Sequence, residues 1–219
     1  AYVEHLNTAY DHAEIRYLDS KELADTIGTD VYFGGSLDTS AGHINPLKFA
    51  LGLGRAAAAA GVTIFEQTRA TRIERGAPVR IVTDHGTISA DHLLVVANGY
   101  LGLLLPEVAS RVMPINSYIA ATEPMGAARA RALIPDNVAV YDTRFVLNYY
   151  RLSEDHRMLF GGREAYGYKD PDDTPTAIRQ PMPAIYPPPA DLNTDSYRGR
   201  TAGLHLDHLP PFPRTGPNI

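Results

Sequence analysis

The 219-residue chain contains no cysteine, so it forms no disulfide, thiolate metal site or thiol nucleophile. It also lacks any apolar run of membrane-spanning length. The stretches at 93–97 and 101–105 fall far below the roughly 20 residues needed to cross a bilayer. The first residues, Ala1-Tyr2-Val3-Glu4-His5, put acidic and polar side chains where a signal peptide has a basic start and an apolar centre, and a cytoplasmic location is expected. Positive charge is in no excess: the formal net charge is -5 and the arginines are scattered, which argues against nucleic acid as a partner. There is no internal repeat. What remains, 44% apolar and 21% charged residues, is ordinary globular composition able to bury a core.

A further absence concerns fold. From His43 onward the chain reads as the later part of a doubly wound α/β domain, yet no buried strand with a glycine-rich phosphate turn precedes it. Asn45 followed by Pro46 predicts a helix start, because Asn caps the first free N–H groups and Pro fits the first helical position. Gly61 ends it. Leu47, Leu51 and Gly54 form one face and Phe49, Leu53 and Ala56 another, so the helix over 46–60 is expected to pack on a sheet. Residues 62–65 and 93–97, apolar at nearly every position, are expected to be strands of that sheet, covered on both faces. Between them, 70–73, 79–83 and 87–90 predict a two-stranded excursion and its return.

From Met113 the expected strands become longer and aromatic: 114–122, 138–141, 145–152 and 158–162, with a short helix over 127–133 and a hairpin turn at Glu154-Asp155-His156-Arg157. The predicted class is α/β (α+β): part of a Rossmann-like domain over 1–112, a mostly antiparallel substrate domain over 113–195, and a return segment over 196–219. After Pro171, closely spaced prolines suit an irregular crossing.

Several spaced motifs carry a family resemblance. Gly34-Gly35-Ser36-Leu37-Asp38-Thr39-Ser40-Ala41-Gly42-His43-Ile44-Asn45-Pro46-Leu47, the Glu66-Gln67-Thr68 strand, Val95-Val96-Ala97-Asn98-Gly99-Tyr100, Leu147-Asn148-Tyr149-Tyr150-Arg151-Leu152 and Phe160-Gly161-Gly162 resemble the FAD-dependent D-amino-acid oxidase superfamily, in particular its gamma-glutamylputrescine oxidoreductase branch. Tyr197-Arg198-Gly199 ahead of Asp207-His208-Leu209-Pro210 is similar to that family's aromatic-x-Gly element and its Asp-x-Leu-Pro turn. Two family hallmarks, the N-terminal Gly-x-Gly-x-x-Gly turn and the C-terminal glycine-rich closure, have no counterpart here, so the chain is expected to be an internal piece of a larger oxidoreductase that binds FAD weakly or not at all by itself. Gly52-Leu53-Gly54-Arg55-Ala56-Ala57 matches a loose dinucleotide pattern, but its glycines fall inside the helix that begins at Pro46 and are read as packing positions.

The resemblance implies oxidation of an amine C–N bond by hydride transfer to flavin, which requires no acid–base dyad; no catalytic residue is assigned. Tyr149 and Tyr150 are adjacent on one strand, so one is expected to face the substrate pocket while the other packs. Arg151 and Arg163 are candidate carboxylate anchors. Where amino-acid-oxidising members carry a carboxylate-clamping arginine two residues after the aromatic-x-Gly glycine, this chain has Thr201, flanked by Arg198 and Arg200. That favours a polyamine-like or N-substituted amine over a D-amino acid, glycine or sarcosine. For FAD, the resemblance implies an adenine contact at Ala70 and a ribose and pyrophosphate turn at Ala97, Asn98 and Gly99. His205-Leu206-Asp207-His208 is not read as a metal site, His43 is read as a loop hydrogen-bonding residue, and Pro210-Pro211-Phe212-Pro213 as a turn. The alternative class is a non-catalytic substrate-binding or interaction module, separated from the enzyme by a flavin spectrum. The expected partner is a small amine, with no membrane; the oligomeric state is left open.

Overall fold

The computed structural model describes residues 1–166, 182–186, 193–205 and 218, the side chain of Arg163 excepted. Its described helices are α1 (Tyr2–Ala9), α2 (Ser20–Ile27), α3 (Pro46–Ala59), α4 (Pro106–Ala109), α5 (Ala127–Leu133) and α6 (Met182–Ile185). Strands β1 (Ile15–Asp19) and β2 (Gly34–Asp38) pair antiparallel. Strands β3 (Ala70–Glu74), β4 (Val79–Thr83) and β5 (Thr87–Ala90) form an antiparallel ribbon. The largest sheet joins β6 (Val112–Thr122), β7 (Val140–Tyr141), β8 (Tyr149–Leu152), β9 (Met158–Tyr166) and β10 (Thr194–His205) in the order β10-β6-β9-β8-β7. The fold is the expected mixed α/β arrangement with antiparallel sheets.

The chain packs as two units. One comprises Ala1–Phe49, Ser117–Glu164 and Pro171–Gly199, the other Ala50–Asn116, Ala165–Asp170 and Arg200–Ile219.

In the first unit, Ile134, Tyr150, Leu152, Met158, Phe160, Ile185 and Tyr186 form a buried cluster, with Leu18, Leu23 and Ile27 forming another. Helix α2 is locally determined at both ends. Asp19 accepts from the Lys21 and Glu22 N–H groups while Glu22 accepts from the Asp19 N–H, a reciprocal capping box. Gly28 ends the helix at φ 66°, where a Cβ would sit 2.2 Å from the Leu133 carbonyl oxygen. Strand β8 starts at Tyr149, later than the sequence suggests, because Asp142 cinches the preceding loop. Its Oδ1 accepts from the Asn148 N–H at 2.9 Å, and its Oδ2 accepts from Asn148 Nδ2 at 2.7 Å.

One expectation is overturned. Helix α3 forms, and Asn45 Oδ1 accepts from the Leu47 and Lys48 N–H groups at 3.1 Å each, but among the described residues the helix buries no face against a sheet. Leu47, Phe49, Leu51 and Leu53 are all more than half exposed, and nothing lies within 4 Å of a Cβ built on Gly54. Residues 62–65 and 93–97 are not strands; Leu94 is 79% and Val96 83% exposed. The physical reason is that a doubly covered strand needs a hydrogen-bonding neighbour, and no strand among the described residues pairs with either segment.

Candidate functional site

The alternation of β8 separates the two tyrosines. Tyr150 is 2% exposed, its ring stacked on Phe160 at 5.6 Å and edge-on to Tyr186 at 5.4 Å. It is a core residue, and burial drives its phenol far above the ordinary value. Tyr149, on the opposite face, is half-buried. Its hydroxyl lies 2.7 Å from Ser117 Oγ and donates to the Tyr118 carbonyl at 3.4 Å. Burial first, and the charge of Glu164 on β9 as well, push its phenol upward against the opposing Ser117 bond, so it stays protonated at neutral pH. With its proton given to Tyr118 O and one lone pair facing Ser117, the phenol oxygen has one acceptor position left. That position suits an N–H donor.

The arginine candidates differ. Arg151 Nη1 donates to His43 Nδ1 at 3.3 Å and to its neighbour's carbonyl, Leu152 O, at 3.4 Å. His43 Nε2 lies 2.8 Å from the Asn137 carbonyl, so Nε2 carries the proton and Nδ1 accepts. Arg151 is therefore engaged by the loop before α3, and His43 makes loop hydrogen bonds as its sequence position suggests. Arg163 lies in β9, with its side chain outside the described residues.

Thr201, in the second unit, is engaged through side chain and backbone: Oγ1 donates to Asn116 Oδ1 at 2.6 Å and its N–H to the Tyr100 hydroxyl at 3.3 Å. Asn116 is 4% exposed. Beside it, Asn98 at φ 49° accepts the Gly203 N–H on Oδ1 at 2.7 Å. A Cβ on Gly99 would lie 2.8 Å from the Ala202 carbonyl carbon, so its missing side chain admits β10 to the Asn98–Tyr100 turn. A cavity of about 20 Å³ lined by Asn98, Gly99, Leu101, Gly102, Ala109, Val112 and Pro114 has room for about one water. Ala97 is half-buried ahead of this turn. Ala70 opens β3 opposite Thr83.

For the FAD that the resemblance implies, the three longest described helices, α1, α2 and α3, do not present free N–H groups to a diphosphate. The first N–H groups of α2 are bonded by the Asp19 carboxylate, and those of α3 by Asn45; α1 carries Glu4 in its first turn. None of these helix starts offers free N–H groups without an acidic or capping side chain. The Gly52–Gly54 pattern lies inside α3. Among the described residues no group of His, Asp or Glu could hold a metal, and no helix is long and apolar enough to cross a membrane. The Asp207–Pro210 turn, residues 206–208 of the histidine cluster and Pro210–Pro213 lie outside the described residues.

Ser117 and Glu164 join the Tyr149 environment without a motif that marks them; the one local signal is the polar pair Asn116-Ser117 inside a mostly apolar strand.

The family model for FAD dependent oxidoreductases, DAO, matches residues 1–219. The chain is 40% identical over 210 residues to a probable oxidoreductase OrdL of Rhizobium meliloti (strain 1021), covering 95% of this chain and 49% of that protein. It is 34% identical over 211 residues to the gamma-glutamylputrescine oxidoreductase of Escherichia coli (strain K12), covering 96% and 50%. The fold is similar to that of glycine oxidase from Geobacillus kaustophilus, with a TM-score of 0.78 at 16% identity, over 94% of this chain and 56% of that one. The chain thus spans about half the length of the curated relatives it matches.

Proposed function

The chain belongs to the FAD dependent oxidoreductase family, and from that premise we propose that it serves a flavoenzyme oxidising the C–N bond of an amine, of polyamine-like or N-substituted type. The observation that carries this reading is the Tyr149 hydroxyl, held between Ser117 and the Tyr118 carbonyl with an acceptor position left for an N–H donor and the negative charge of Glu164 acting on it. A substrate with its carboxylate on the carbon being oxidised, as in a free α-amino acid, is less well served: Arg151 is engaged by His43, and Thr201 cannot form the two-pronged pair that an arginine gives a carboxylate. The name of the Escherichia coli relative, gamma-glutamylputrescine oxidoreductase, supports the same class. In this reading the chain's residues bind and orient the amine, and the redox chemistry belongs to the flavin.

The test is turnover by the flavin-loaded enzyme containing this chain, assayed with gamma-glutamylputrescine, free putrescine, glycine, sarcosine and D-alanine. The gamma-glutamyl amine should give the highest kcat/KM, and Tyr149→Ala should lower it roughly 10-fold or more, the scale of one lost hydrogen bond with its packing, at unchanged flavin content. Preference for glycine or a D-amino acid would overturn the substrate class. A colourless protein with no turnover would return the chain to the interaction-module reading.

A further inference from the structure

Gly161 is directly opposite Tyr149 in the β8–β9 register. No left-handed φ explains glycine at this position, since Gly161 is not among the positive-φ residues. The ring of Tyr149 does. A Cβ built on Gly161 would lie 2.1 Å from Tyr149 Cζ, 2.3 Å from Cε2 and 2.5 Å from the hydroxyl oxygen, distances that no side chain can occupy. The tyrosine therefore lies flat across β9 at Gly161, where that strand has no side chain. Its hydroxyl reaches β6, two strands from its own, to meet Ser117 Oγ at 2.7 Å.

The same device recurs one residue along. A Cβ on Gly162 would lie 2.7 Å from Asn148 Oδ1, and Asn148 is itself held by Asp142. With β8 fixed on one side by that clamp, the glycine gap and the Ser117 hydroxyl leave the phenol little freedom. An upright rotamer would carry the hydroxyl away from β6 and lose both of its bonds.

We propose that Gly161 and Ser117 are positioning residues that hold the Tyr149 phenol flat across β9, with its oxygen presented to the amine nitrogen. The proposal rests on the reading of Tyr149 as an amine contact. Any side chain at Gly161 lifts the ring, and loss of the Ser117 hydroxyl leaves the phenol oxygen held only by the weaker bond to Tyr118 O.

The test uses the flavin-loaded enzyme containing this chain, with gamma-glutamylputrescine as probe, and compares wild type with Tyr149→Ala, Gly161→Ala, Ser117→Ala and the Gly161→Ala/Tyr149→Ala pair. Gly161→Ala should raise KM about 10-fold with kcat changed less than about 3-fold. The double variant should match Tyr149→Ala alone, because Gly161 acts only through the ring. Ser117→Ala, which removes one hydroxyl and does not threaten folding, should raise KM in the same direction. A second readout, the alkaline absorbance titration of the phenols, should show one tyrosine shifted to lower pH in Gly161→Ala and absent in Tyr149→Ala. Additive losses in the pair, or unchanged KM in both Gly161→Ala and Ser117→Ala while Tyr149→Ala impairs binding, would overturn the positioning role. If Tyr149→Ala leaves KM unchanged but the phenol still shifts in Gly161→Ala, the amine-contact reading fails and the ring-on-glycine geometry stands.

Discussion

Tyr149 and Tyr150 are neighbours in sequence with different energetics. The Tyr150 hydroxyl is buried beside those of Tyr32 and Tyr186 with no partner at hydrogen-bonding distance among the described residues, and an unpaired buried hydroxyl costs desolvation that its ring does not need. Tyr150→Phe should therefore be neutral or stabilising by up to about 1 kcal/mol in denaturant melts; a loss of more than that would show a hydrogen bond at this hydroxyl. Asp38 offers a pH readout. The Ser40 side chain foremost, then His12, holds its carboxyl down from 3.8 to about 2, through bonds of 2.7 Å to Ser40 Oγ and 2.9 Å to His12 Nε2. A carboxyl depressed in the folded state contributes stability above its unfolded value and loses it as pH falls through the folded value. Wild type should melt at higher temperature than Asp38→Asn near neutral pH, with the gap closing between about pH 4 and pH 2. A gap that persists at the acid end would place the effect elsewhere.

Among the elements, α2 and α3 show what a sequence carries and what it does not. Both have legible ends: Asp19 with Glu22 three residues on and Gly28 behind for α2, Asn45-Pro46 and Gly61 for α3. Caps are local, so they can be read from neighbouring residues. Asp19→Ala should cost about 1 kcal/mol in thermal or denaturant unfolding, and no loss would mean that packing alone holds α2. What covers an apolar face depends on distant residues. The apolar pattern of α3 and of 62–65 and 93–97 implies a sheet, while the structure leaves Leu51, Leu53, Val62, Phe65, Leu94 and Val96 exposed. Leu51→Lys with Leu53→Lys should accordingly change stability by less than about 0.5 kcal/mol each, as surface substitutions do, and a drop of several kcal/mol would show the face to be covered. The site divides in the same way. The opposite facing of Tyr149 and Tyr150 follows from the two-residue period of any strand, whereas the pairing of Tyr149 with Gly161 depends on a hairpin register that no spacing rule supplies. The engagement of Arg151 by His43 joins residues 108 positions apart, beyond the reach of local pattern.

At the scale of the whole molecule the question is how much of a dinucleotide this chain can hold. A flavin dinucleotide draws much of its binding from N–H groups converging on its diphosphate. The starts of the three longest described helices are occupied by Asp19 and Asn45 or carry Glu4. The turn at Asn98–Tyr100 spends the Asn98 side chain on Gly203 and the open face of Gly99 on β10. If, as the resemblance implies, Ala70 lies near the adenine and Ala97 beside the ribose and pyrophosphate, backbone contact would reach mainly the adenosine end of the cofactor. FAD added to this chain should therefore bind more weakly than about 1 mM, a free energy smaller than about 4 kcal/mol. FMN, which lacks the adenosine, should bind more weakly still. Adenosine-sensitive but diphosphate-insensitive binding, with FAD no tighter than adenosine itself, would locate what affinity there is at Ala70 and Ala97. Micromolar FAD binding with quenched flavin fluorescence would overturn this account and require a diphosphate site outside the helix starts described.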